Sequence, residues 1–368
     1  MLATRGYAAV SPTSALGPWD FERRDPGPSD VSIDIAYCGV CHSDIHQARG
    51  EWRNCNFPMV PGHEIVGTVA AVGSSSRRWK AGDRVGVGVF VDSCRKCEAC
   101  LAGEQQYCVA GMSTTYNGRE QDGITPTYGG YSERITVDED YVLRIPAGMP
   151  DHAAAPLLCA GITTYSPIRH FGVRAGDRAA VLGLGGLGHM GVKFLKALGA
   201  ETTVISHSAA KRDDAHRLGA DDFMDTGQTD AFKKNSRRFD FILDTVSARH
   251  DYNAYLRLLR RDGTMALVGL PDPSPLDATA LTDWRRRLVG SVIGGIGETQ
   301  EMLDFCAERG IAADVEVIPM QTINEAFERT LKSDVRYRFV IDMATIRAAS
   351  AGAAATGRTA VGQRTGAD

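Results

Sequence analysis

The stretch "DRAAVLGLGGLGHMGVKFLKALGAETTVIS" constrains the fold of this chain more than any other. It contains an apolar run, glycines at 183, 185 and 188 in the spacing Gly-x-Gly-x-x-Gly, a helical pattern and a second apolar run. Two further apolar runs, "FDFILDTV" and "GTMALVGL", follow with helical patterns between them. Strands that alternate with helices are typical of a parallel sheet. The sequence therefore predicts an α/β domain with a doubly wound parallel sheet over residues 153–290.

The glycine turn in this stretch predicts a binding site for the diphosphate of a dinucleotide, as in Rossmann domains. Gly183 permits a tight turn, Gly185 lets the backbone approach a phosphate, and Gly188 lets helix and strand pack closely. The N-terminus of the helix that follows adds N–H donors and a positive dipole. A glycine turn that binds no ligand is the alternative. The candidate diphosphate-binding residues are Gly183, Leu184, Gly185, Gly186, Leu187 and Gly188.

The end of the next strand indicates which dinucleotide is bound. NAD-binding domains of this kind usually carry Asp or Glu about 20 residues after the glycines, where it binds the ribose 2′-OH. Here the strand "TTVIS" is followed by "HSAAKR", which contains no acidic residue. Ser206, His207 and Ser208 supply hydrogen-bond donors for a 2′-phosphate, and Lys211 and Arg212 supply positive charge. We therefore expect NADP(H); the alternative is that Lys211 and Arg212 only form a solvated first helical turn.

The remainder of the chain predicts a second domain, because 368 residues exceed one ordinary hydrophobic core. Residues 1–152 carry short β-branched runs bounded by turn residues, which predict an antiparallel β domain or irregular barrel. After residue 290, "ETQEMLDFCAERG" and "INEAFERTLKSDV" predict helices and "YRFVIDM" predicts a closing strand. We assign residues 291–343 to the same domain as residues 1–152. The Ala- and Gly-rich residues 344–368 are predicted to be disordered.

Charge and hydropathy argue against two classes of partner. The net charge is −4, and the sequence has no basic stripe of the kind that binds nucleic acid. No window approaches the about 20 apolar residues that span a bilayer, and the N-terminus lacks the apolar core of a signal peptide. We expect a cytoplasmic protein with no nucleic-acid or membrane partner. In that compartment clustered cysteines are more often metal ligands or catalytic thiols than disulfides.

Four cysteines lie within "CRKCEACLAGEQQYC", in the spacing Cys-x₂-Cys-x₂-Cys-x₇-Cys. Four thiolates close a tetrahedral zinc shell and leave no position for a substrate, so this pattern predicts a structural zinc site. An iron–sulfur cluster also takes four cysteines, but bacterial ferredoxins have a shorter third gap followed by proline, whereas Val109 follows here. Iron–sulfur and disulfide interpretations are the alternatives. The candidate ligands are Cys94, Cys97, Cys100 and Cys108.

A second group of possible ligands is spread along the chain, in "CGVCHSDIH", "PGHEIVG" and "LLCAGIT". Two thiolates and one imidazole with an open fourth position form a catalytic zinc site. Such a zinc polarises a carbonyl group or stabilises an alkoxide. Asp44 is a candidate acceptor for the other ring N–H of His63. The residues alone do not choose Cys41 over Cys38, and they do not unite ligands so far apart in sequence.

These motifs in combination resemble the zinc-dependent medium-chain alcohol dehydrogenases. Within that family, "CGVCHSDIH", "VPGHEIVG", "LLCAGITTYSP", "GIGETQEMLDFCAERGI" and "YRFVID" are similar to the cinnamyl-alcohol-dehydrogenase branch, and above all to its bacterial and fungal NADPH-dependent aldehyde reductases. The resemblance runs from about residue 5 to residue 343. It implies a GroES-like irregular β-barrel catalytic domain into which the Rossmann domain is inserted. It also implies a homodimer that pairs through an edge strand near "LVGSVIGGI".

Carried over to this sequence, the resemblance implies roles for the residues around the catalytic zinc. The residues implied at the metal are Cys41, His63, Cys159 and, beside them, Glu64. Ser43 and His46 match the proton relay of the family. For His46 the alternative is an ordinary histidine on a helix surface.

The resemblance also implies the reaction, which is hydride transfer between NADP(H) and a broad range of aromatic and medium aliphatic primary alcohols or aldehydes. It implies one catalytic and one structural zinc per chain. A polyol or secondary-alcohol dehydrogenase of the same fold and a non-catalytic NADPH-sensing relative are the alternatives. Plant lignin enzymes commonly have Trp where "STTYNG" has threonine, which argues against a dedicated monolignol enzyme. The candidate pocket walls are Trp52, Thr114, Val292 and Ile296.

Overall fold

The structure is a computed structural model, which describes residues 1–52 and 54–346. Its strands are, in chain order, β1 (Leu2–Ala8), β2 (Gly17–Arg23), β3 (Asp30–Gly39), β4 (Ile65–Val72), β5 (Arg84–Val87), β6 (Phe90–Asp92), β7 (Ser113–Thr114), β8 (Arg134–Asp138), β9 (Leu143–Arg144), β10 (Arg178–Leu182), β11 (Glu201–Ser206), β12 (Asp222–Asp225), β13 (Phe239–Asp244), β14 (Leu259–Leu267), β15 (Arg287–Gly290), β16 (Val315–Pro319) and β17 (Arg338–Asp342). Its helices are α1 (His42–Ala48), α2 (Glu98–Leu101), α3 (Asp151–Ala154), α4 (Ala160–His170), α5 (Gly188–Ala197), α6 (Arg212–Leu218), α7 (Ala231–Lys234), α8 (Tyr252–Leu256), α9 (Ala278–Thr282), α10 (Ile296–Arg309) and α11 (Ile323–Leu331). Within the two described ranges, none of these helices has both the length and the apolar character needed to cross a membrane.

A six-stranded parallel sheet has the strand order β12-β11-β10-β13-β14-β15. The chain runs outward in both directions from β10, and open parallel sheets bind ligands at the carboxyl ends of the strands where the order reverses. Strands β10, β11 and β13 are almost wholly buried, because helices pack against them. Helix α5 begins at Gly188, directly after the glycine turn. The predicted Rossmann fold is confirmed.

A seven-stranded sheet is built around β3. Strand β3 pairs antiparallel with β4, β8 and β17, so a strand near the end of the described chain lies beside a strand near its beginning. Val31, Ile33 and Ile35 alternate along β3 and are buried, because the apolar residues of its period-two pattern face the core. Strands β10 to β15 come between β9 and β16 in the chain. This is the predicted architecture, a GroES-like β domain with an inserted Rossmann domain.

The larger of two hydrophobic clusters is shared by the two sheets. It includes Ile33 and Val85 from the seven-stranded sheet, and Val181 and Phe194 from β10 and α5. The smaller cluster, which includes Leu182 and Met265, belongs to the Rossmann part. Helix α3 spans the predicted boundary at residues 152/153. Because packing is continuous between the two parts, the boundaries at 152/153 and 290/291 stay predictions.

The predicted disordered tail begins too early. The hydroxyl of Thr345 accepts a hydrogen bond from the Met320 N–H at 3.0 Å, and Ile346 is buried. Residues 344–346 therefore pack against the segment that follows β16. The predicted disorder of residues 347–368 lies outside the described residues.

We expect Ile33→Ala to lower the free energy of unfolding by about 2–5 kcal/mol, because it leaves a cavity in the centre of the core. Val72→Ala is the matched control, since Val72 lies in the neighbouring strand β4 but is 37% exposed. Its expected effect is within about 1 kcal/mol. Thermal unfolding followed by the fluorescence of Trp19 and Trp79, which pack against this core, measures both. Equal shifts for the two variants would contradict the central position of β3.

Candidate functional site

Three distant segments of the chain meet in one buried cluster. Cys41 immediately precedes α1, His63 and Glu64 precede β4, and Cys159 immediately precedes α4. Their ligand atoms all lie within 4.8 Å of one another. The Sγ atoms of Cys41 and Cys159 are 3.9 Å apart, and His63 Nε2 lies 3.3 Å from Cys159 Sγ. The structure thus brings together the four residues expected at the catalytic zinc, and it includes Cys41 rather than Cys38.

The donor set of this cluster fits a zinc ion. Two thiolates in a tetrahedral shell with Zn–S bonds of about 2.3 Å lie about 3.8 Å apart, close to the separation of Cys41 and Cys159. The hydrogen bond with Cys159, followed by the charge of Arg338, lowers the pKa of the Cys41 thiol well below its usual range despite burial. A low pKa favours the thiolate, which is the form that binds metal.

Asp44 orients His63. Its side chain is fully buried, and Oδ1 accepts a hydrogen bond from His63 Nδ1 at 3.1 Å. The same carboxylate accepts from the backbone N–H groups of Gly62 and Cys41 and from the hydroxyl of Tyr131. With its Nδ1 held in this way, the imidazole turns Nε2 toward the thiols. Asp44 therefore lies where the sequence led us to expect it.

A buried ion pair lies beside these ligands. Arg338 in β17 donates a hydrogen bond to Glu64 Oε1, and neither side chain is more than 5% exposed. Burial raises the pKa of Glu64 to about 7, although the charge of Arg338 opposes this shift. Within the described chain, Glu64 Oε2 and Arg338 Nε have no hydrogen-bond partner. The Arg338 side chain also lies against Gly186, since a Cβ at that glycine would be 2.8 Å from its Cδ.

Sequence reasoning missed Arg338. The signal was an arginine inside the apolar strand "YRFVID". A charged residue at a core-facing position of a strand is normally paired. The sequence does not give its partner, because Glu64 lies 274 residues away.

The predicted proton-relay residues both lie on α1 but do not contact each other among the described residues. Ser43 Oγ lies 3.1 Å from Cys41 Sγ. His46 bonds through Nδ1 to Glu51, and its ring stacks on Trp52 with centroids 5.5 Å apart. A relay from Ser43 to His46 therefore requires a bridging hydroxyl or water. Sequence reasoning did not single out Glu51, whose position five residues after His46 was the only signal.

The glycine turn has the geometry required for close approach of a ligand. Gly183 has a φ of +90°, and a Cβ at Gly188 would lie 2.1 Å from the Gly183 carbonyl oxygen. A Cβ at Gly185 would meet nothing within 4 Å, so this glycine borders open space. Lys211 Nζ donates to the carbonyl of Leu184 at 2.8 Å, which places one predicted cation at the turn.

The other residues predicted to bind a 2′-phosphate differ in their burial and in their contacts. Ser206 is the buried last residue of β11, and its hydroxyl accepts from the Ser208 N–H at 3.2 Å. His207 between them is exposed. The guanidinium of Arg212 lies over the ring of Phe223, 4.8 Å from its centroid. Arg212 therefore packs on β12, a contact that the sequence did not predict.

The four clustered cysteines form a second, separate group with all ligand atoms within 4.8 Å of one another. The Sγ atoms of Cys94 and Cys100 are 3.9 Å apart, again close to the tetrahedral spacing. Ser93 Oγ lies 3.1 Å from Cys100 Sγ and 2.7 Å from the Tyr141 hydroxyl. Hydrogen bonds from backbone N–H groups, of which that of Cys100 has the largest effect, lower the pKa of the Cys97 thiol to about 6. None of these cysteines forms a disulfide.

Comparison with known proteins identifies the family. The profile described as the alcohol dehydrogenase GroES-like domain matches residues 27–147, and that described as zinc-binding dehydrogenase matches residues 186–308. NADP-dependent alcohol dehydrogenase C of Mycobacterium tuberculosis is 55% identical over 347 residues, which are 94% of this chain and 100% of the relative. The chain belongs to the zinc-dependent medium-chain alcohol dehydrogenases.

Other members confirm the resemblance to the cinnamyl-alcohol-dehydrogenase branch. Aldehyde reductase YahK of Escherichia coli is 52% identical over 94% of this chain and 98% of the relative. The structure of the cinnamyl alcohol dehydrogenase SbCAD4 from Sorghum bicolor is 46% identical, with a TM-score of 0.91, and the match covers 93% of this chain and 98% of that one. A Helicobacter pylori cinnamyl alcohol dehydrogenase complexed with NADP(H) is 41% identical, with a TM-score of 0.87 and the same coverage.

Two of the residues predicted as pocket walls in this family member are linked to residues of the site through one neighbour each. Trp52 stacks on His46, as described above. The Thr114 hydroxyl donates to the carbonyl of Tyr116, whose ring stacks on that of His63 with centroids 5.7 Å apart. Tyr116 is buried and was not predicted. From the stretch "STTYNG", the sequence predicted Thr114 as a pocket residue rather than Tyr116.

The other two predicted pocket walls, Val292 and Ile296, line two different cavities. Val292 is 45% exposed and lines an open cavity of about 440 Å³ that Tyr107 and Leu270 also line. Ile296 lines a much smaller cavity with Phe90 and Leu158. Val292 lies two residues after the end of the edge strand β15. That these four residues line one substrate pocket stays a prediction.

We expect Cys97→Ser to reduce the zinc content to about one ion per chain, because three thiolates bind zinc more weakly than a closed shell of four. The midpoint of thermal unfolding should also fall, since the cysteine lobe exposes Leu101 and Val109 and has little core of its own. Cys55→Ser is the control, as Cys55 belongs to neither cluster. Elemental analysis and scanning fluorimetry measure both effects, and chelator treatment of the unsubstituted protein tests the same site. Full zinc retention in Cys97→Ser would contradict the assignment.

Proposed function

We propose that this protein is a zinc-dependent, NADP(H)-linked alcohol dehydrogenase and aldehyde reductase that interconverts primary alcohols and aldehydes. The observation that carries this proposal is the meeting of Cys41, His63 and Cys159 next to Arg338, whose side chain reaches the glycine turn at Gly186. A metal-binding group and a dinucleotide-binding turn are thereby joined by one side chain. This arrangement supports hydride transfer to a carbonyl group held at the metal.

The chain's own residues hold and orient the reacting groups. Cys41, His63 and Cys159 would bind the catalytic zinc, which when present acts as a Lewis acid on the substrate oxygen, while NADPH supplies the hydride. Asp44 fixes the orientation of His63 through its Nδ1. The ring of Tyr116 covers His63 on one side. Burial of these groups excludes water and strengthens their electrostatic interactions.

Ser43 and His46 are proposed to carry the proton that accompanies hydride transfer. The hydroxyl of Ser43 lies beside Cys41 Sγ, at the edge of the metal-binding group where a substrate oxygen must arrive. His46 bonds through Nδ1 to Glu51, whose side chain is 48% exposed. A proton taken up at Nε2 can therefore be balanced by release from Nδ1 to a carboxylate in contact with solvent. Stacking on Trp52 holds the imidazole ring in place.

NADP(H) is the proposed cofactor. No acidic side chain stands at the end of β11 to bind a ribose 2′-OH, while Ser208 and Lys211 offer donors for a phosphate. The names of two relatives add support, since one is an NADP-dependent alcohol dehydrogenase and the other was solved in complex with NADP(H). A second zinc, held by the four clustered cysteines, would stabilise the lobe that contains them.

The proposed substrates are aromatic and medium aliphatic aldehydes and the corresponding alcohols, over a broad range. The ring of Trp52 stacks on His46 of the proposed relay, and the ring of Tyr116 stacks on the metal-binding residue His63. Flat apolar side chains of this kind pack against aromatic and aliphatic chains with little discrimination. Relatives named aldehyde reductase and cinnamyl alcohol dehydrogenase are consistent with this substrate class.

A homodimer is proposed on the basis of the edge of the parallel sheet. Strand β15 is the last strand of that sheet, so its outer backbone groups have no partner strand among the described residues. Leu270 and Val292 are exposed next to this edge. Edge strands with apolar neighbours are prone to pair with another chain. A second copy of this chain, with its own β15, would cover both the backbone groups and the apolar side chains.

A cytoplasmic location fits the thiol chemistry. All nine cysteines are free, and the two clusters need reduced thiolates to bind metal. Thiols stay reduced in the cytoplasm. We therefore infer a cytoplasmic enzyme.

The function is tested by following NADPH oxidation with benzaldehyde, cinnamaldehyde, butanal and a ketone, each repeated with NADH. We expect fast turnover of the aldehydes with NADPH. Cys159→Ala should abolish turnover and lose about half of the zinc, because it removes a ligand of the catalytic ion only. Ser43→Ala should lower kcat by about a hundredfold or more while retaining both zinc ions, because it removes a proton donor.

Cys55→Ala is the control for these variants and should behave like the unsubstituted enzyme, since Cys55 lies outside both clusters. Full activity of Cys159→Ala would refute the proposed metal site. Absence of turnover in protein that carries two zinc ions per chain would refute the proposed reaction.

The dimer is tested by light scattering coupled to size-exclusion chromatography. The unsubstituted protein should elute with twice the mass of the chain, and the double variant Leu270→Arg/Val292→Arg should shift to the monomer, because it places charge at the proposed interface. Leu101→Arg is the control, as Leu101 is similarly exposed but lies on the cysteine lobe. A monomeric unsubstituted protein would contradict the proposal.

A further inference from the structure

Two positively charged side chains from different parts of the fold lie at the glycine turn, and the sequence pattern accounts for only one of them. Lys211 immediately precedes α6 in the Rossmann part. Arg336 lies two residues before β17, in the seven-stranded sheet. Both line a cavity of about 50 Å³ together with Leu184, Gly185 and Gly186. This juxtaposition depends entirely on how the two parts of the molecule pack.

The positive charge at this place is only partly paired. Arg336 Nε lies 2.6 Å from Asp214 Oδ2, and no hydrogen bond of its two terminal guanidinium nitrogens is found among the described residues. Arg217 lies 3.5 Å from the same carboxylate but has a closer partner, Asp314, at 2.9 Å. Lys211 forms no ion pair with a carboxylate in the part of the chain that the structure describes, and its ammonium donates to a backbone carbonyl. Burial and the neighbouring charge of Arg336 lower the pKa of Lys211. Two adjacent cations with unused donors indicate a site for an anion.

The position of Arg336 indicates which anion this is. Its partner Asp214 lies in the first turn of α6, the helix that follows β11 and residues 206–211. In a dinucleotide-binding domain, the adenosine ribose lies at the end of the second strand, whereas the diphosphate lies at the helix after the first strand. Arg336 is therefore on the ribose side of the turn. Its side chain is 55% exposed and hence accessible to a ligand.

We propose that Arg336, together with Lys211, binds the 2′-phosphate of NADP(H). This inference rests on the proposed cofactor and adds a residue that determines the preference for it. A 2′-phosphate carries negative charge and acceptor oxygens that match an arginine and a lysine. Because Lys211 lies in the Rossmann part and Arg336 just before β17 of the seven-stranded sheet, the phosphate would contact both parts of the molecule. NAD(H) lacks the phosphate and would make no such contact.

The test is calorimetric titration of the full-length, zinc-loaded enzyme with adenosine 2′,5′-bisphosphate, ADP and 5′-AMP. We expect Arg336→Gln to weaken binding of adenosine 2′,5′-bisphosphate by about tenfold or more, since it removes a charge-assisted hydrogen bond. Binding of ADP and 5′-AMP should not change. Arg336→Lys should restore part of the lost affinity. In the aldehyde assay, Arg336→Gln should raise the KM for NADPH, with kcat and the KM for NADH unchanged.

Arg217→Gln is the control, since Arg217 carries the same charge and also contacts Asp214, but it bonds more closely to Asp314 and does not line the cavity. It should leave all three affinities unchanged. If Arg336→Gln and the unsubstituted enzyme bind adenosine 2′,5′-bisphosphate equally well, the role of Arg336 is overturned while NADP(H) remains the proposed cofactor. An equal loss of ADP affinity would also overturn that role, because Arg336 would then bind the diphosphate. If the unsubstituted enzyme binds adenosine 2′,5′-bisphosphate no better than 5′-AMP, both the inference and the proposed cofactor fail.

Discussion

The buried ion pair between Glu64 and Arg338 is the contact on which the arrangement of the site depends. Glu64 follows the metal-binding residue His63, while Arg338 comes from β17 and lies against Gly186 of the glycine turn. Neither charge reaches solvent to any extent, so each requires the other. Leaving one member of such a pair alone in a protein interior costs about 3–5 kcal/mol. The pair therefore fixes the metal-binding group and the dinucleotide turn at one distance from each other.

A second constraint acts within the metal-binding group itself. Asp44 is fully buried, and four hydrogen bonds satisfy its carboxylate. Three of the four donors, on Cys41, Gly62 and His63, belong to the segments that carry the ligands Cys41 and His63, and the fourth is the hydroxyl of Tyr131. One carboxylate thus holds two ligands in position and sets the orientation of the imidazole. Hydrogen bonds within the protein core therefore preorganise this group of ligands.

The two parts of the molecule contribute different groups to the site, and their folds explain the difference. The parallel sheet supplies a turn whose backbone N–H groups and open space suit a diphosphate, as parallel sheets of this order commonly do. The seven-stranded sheet and its loops supply thiols, imidazoles and arginines, which a glycine turn cannot offer. Strand β17 and the residues just before it place Arg338 and Arg336 at the same small cavity as the glycine turn. Buried apolar side chains from both parts pack together and hold the two parts in a fixed relative position.

The sequence by itself determined the features whose geometry is local. The spacing of Gly183, Gly185 and Gly188 after an apolar run implies one turn between a strand and a helix, because those residues are consecutive in space as well as in the chain. The same holds for the four cysteines between residues 94 and 108, which can meet without help from the rest of the fold.

Only the tertiary structure decided the contacts between distant segments. Resemblance to the family, and not spacing, united Cys41, His63 and Cys159, and nothing in the sequence paired Arg338 with Glu64 or brought Arg336 to Lys211. The physical reason is that local propensity and periodicity report which face of an element is buried. They carry no information on which element, more than a hundred residues away, will cover that face.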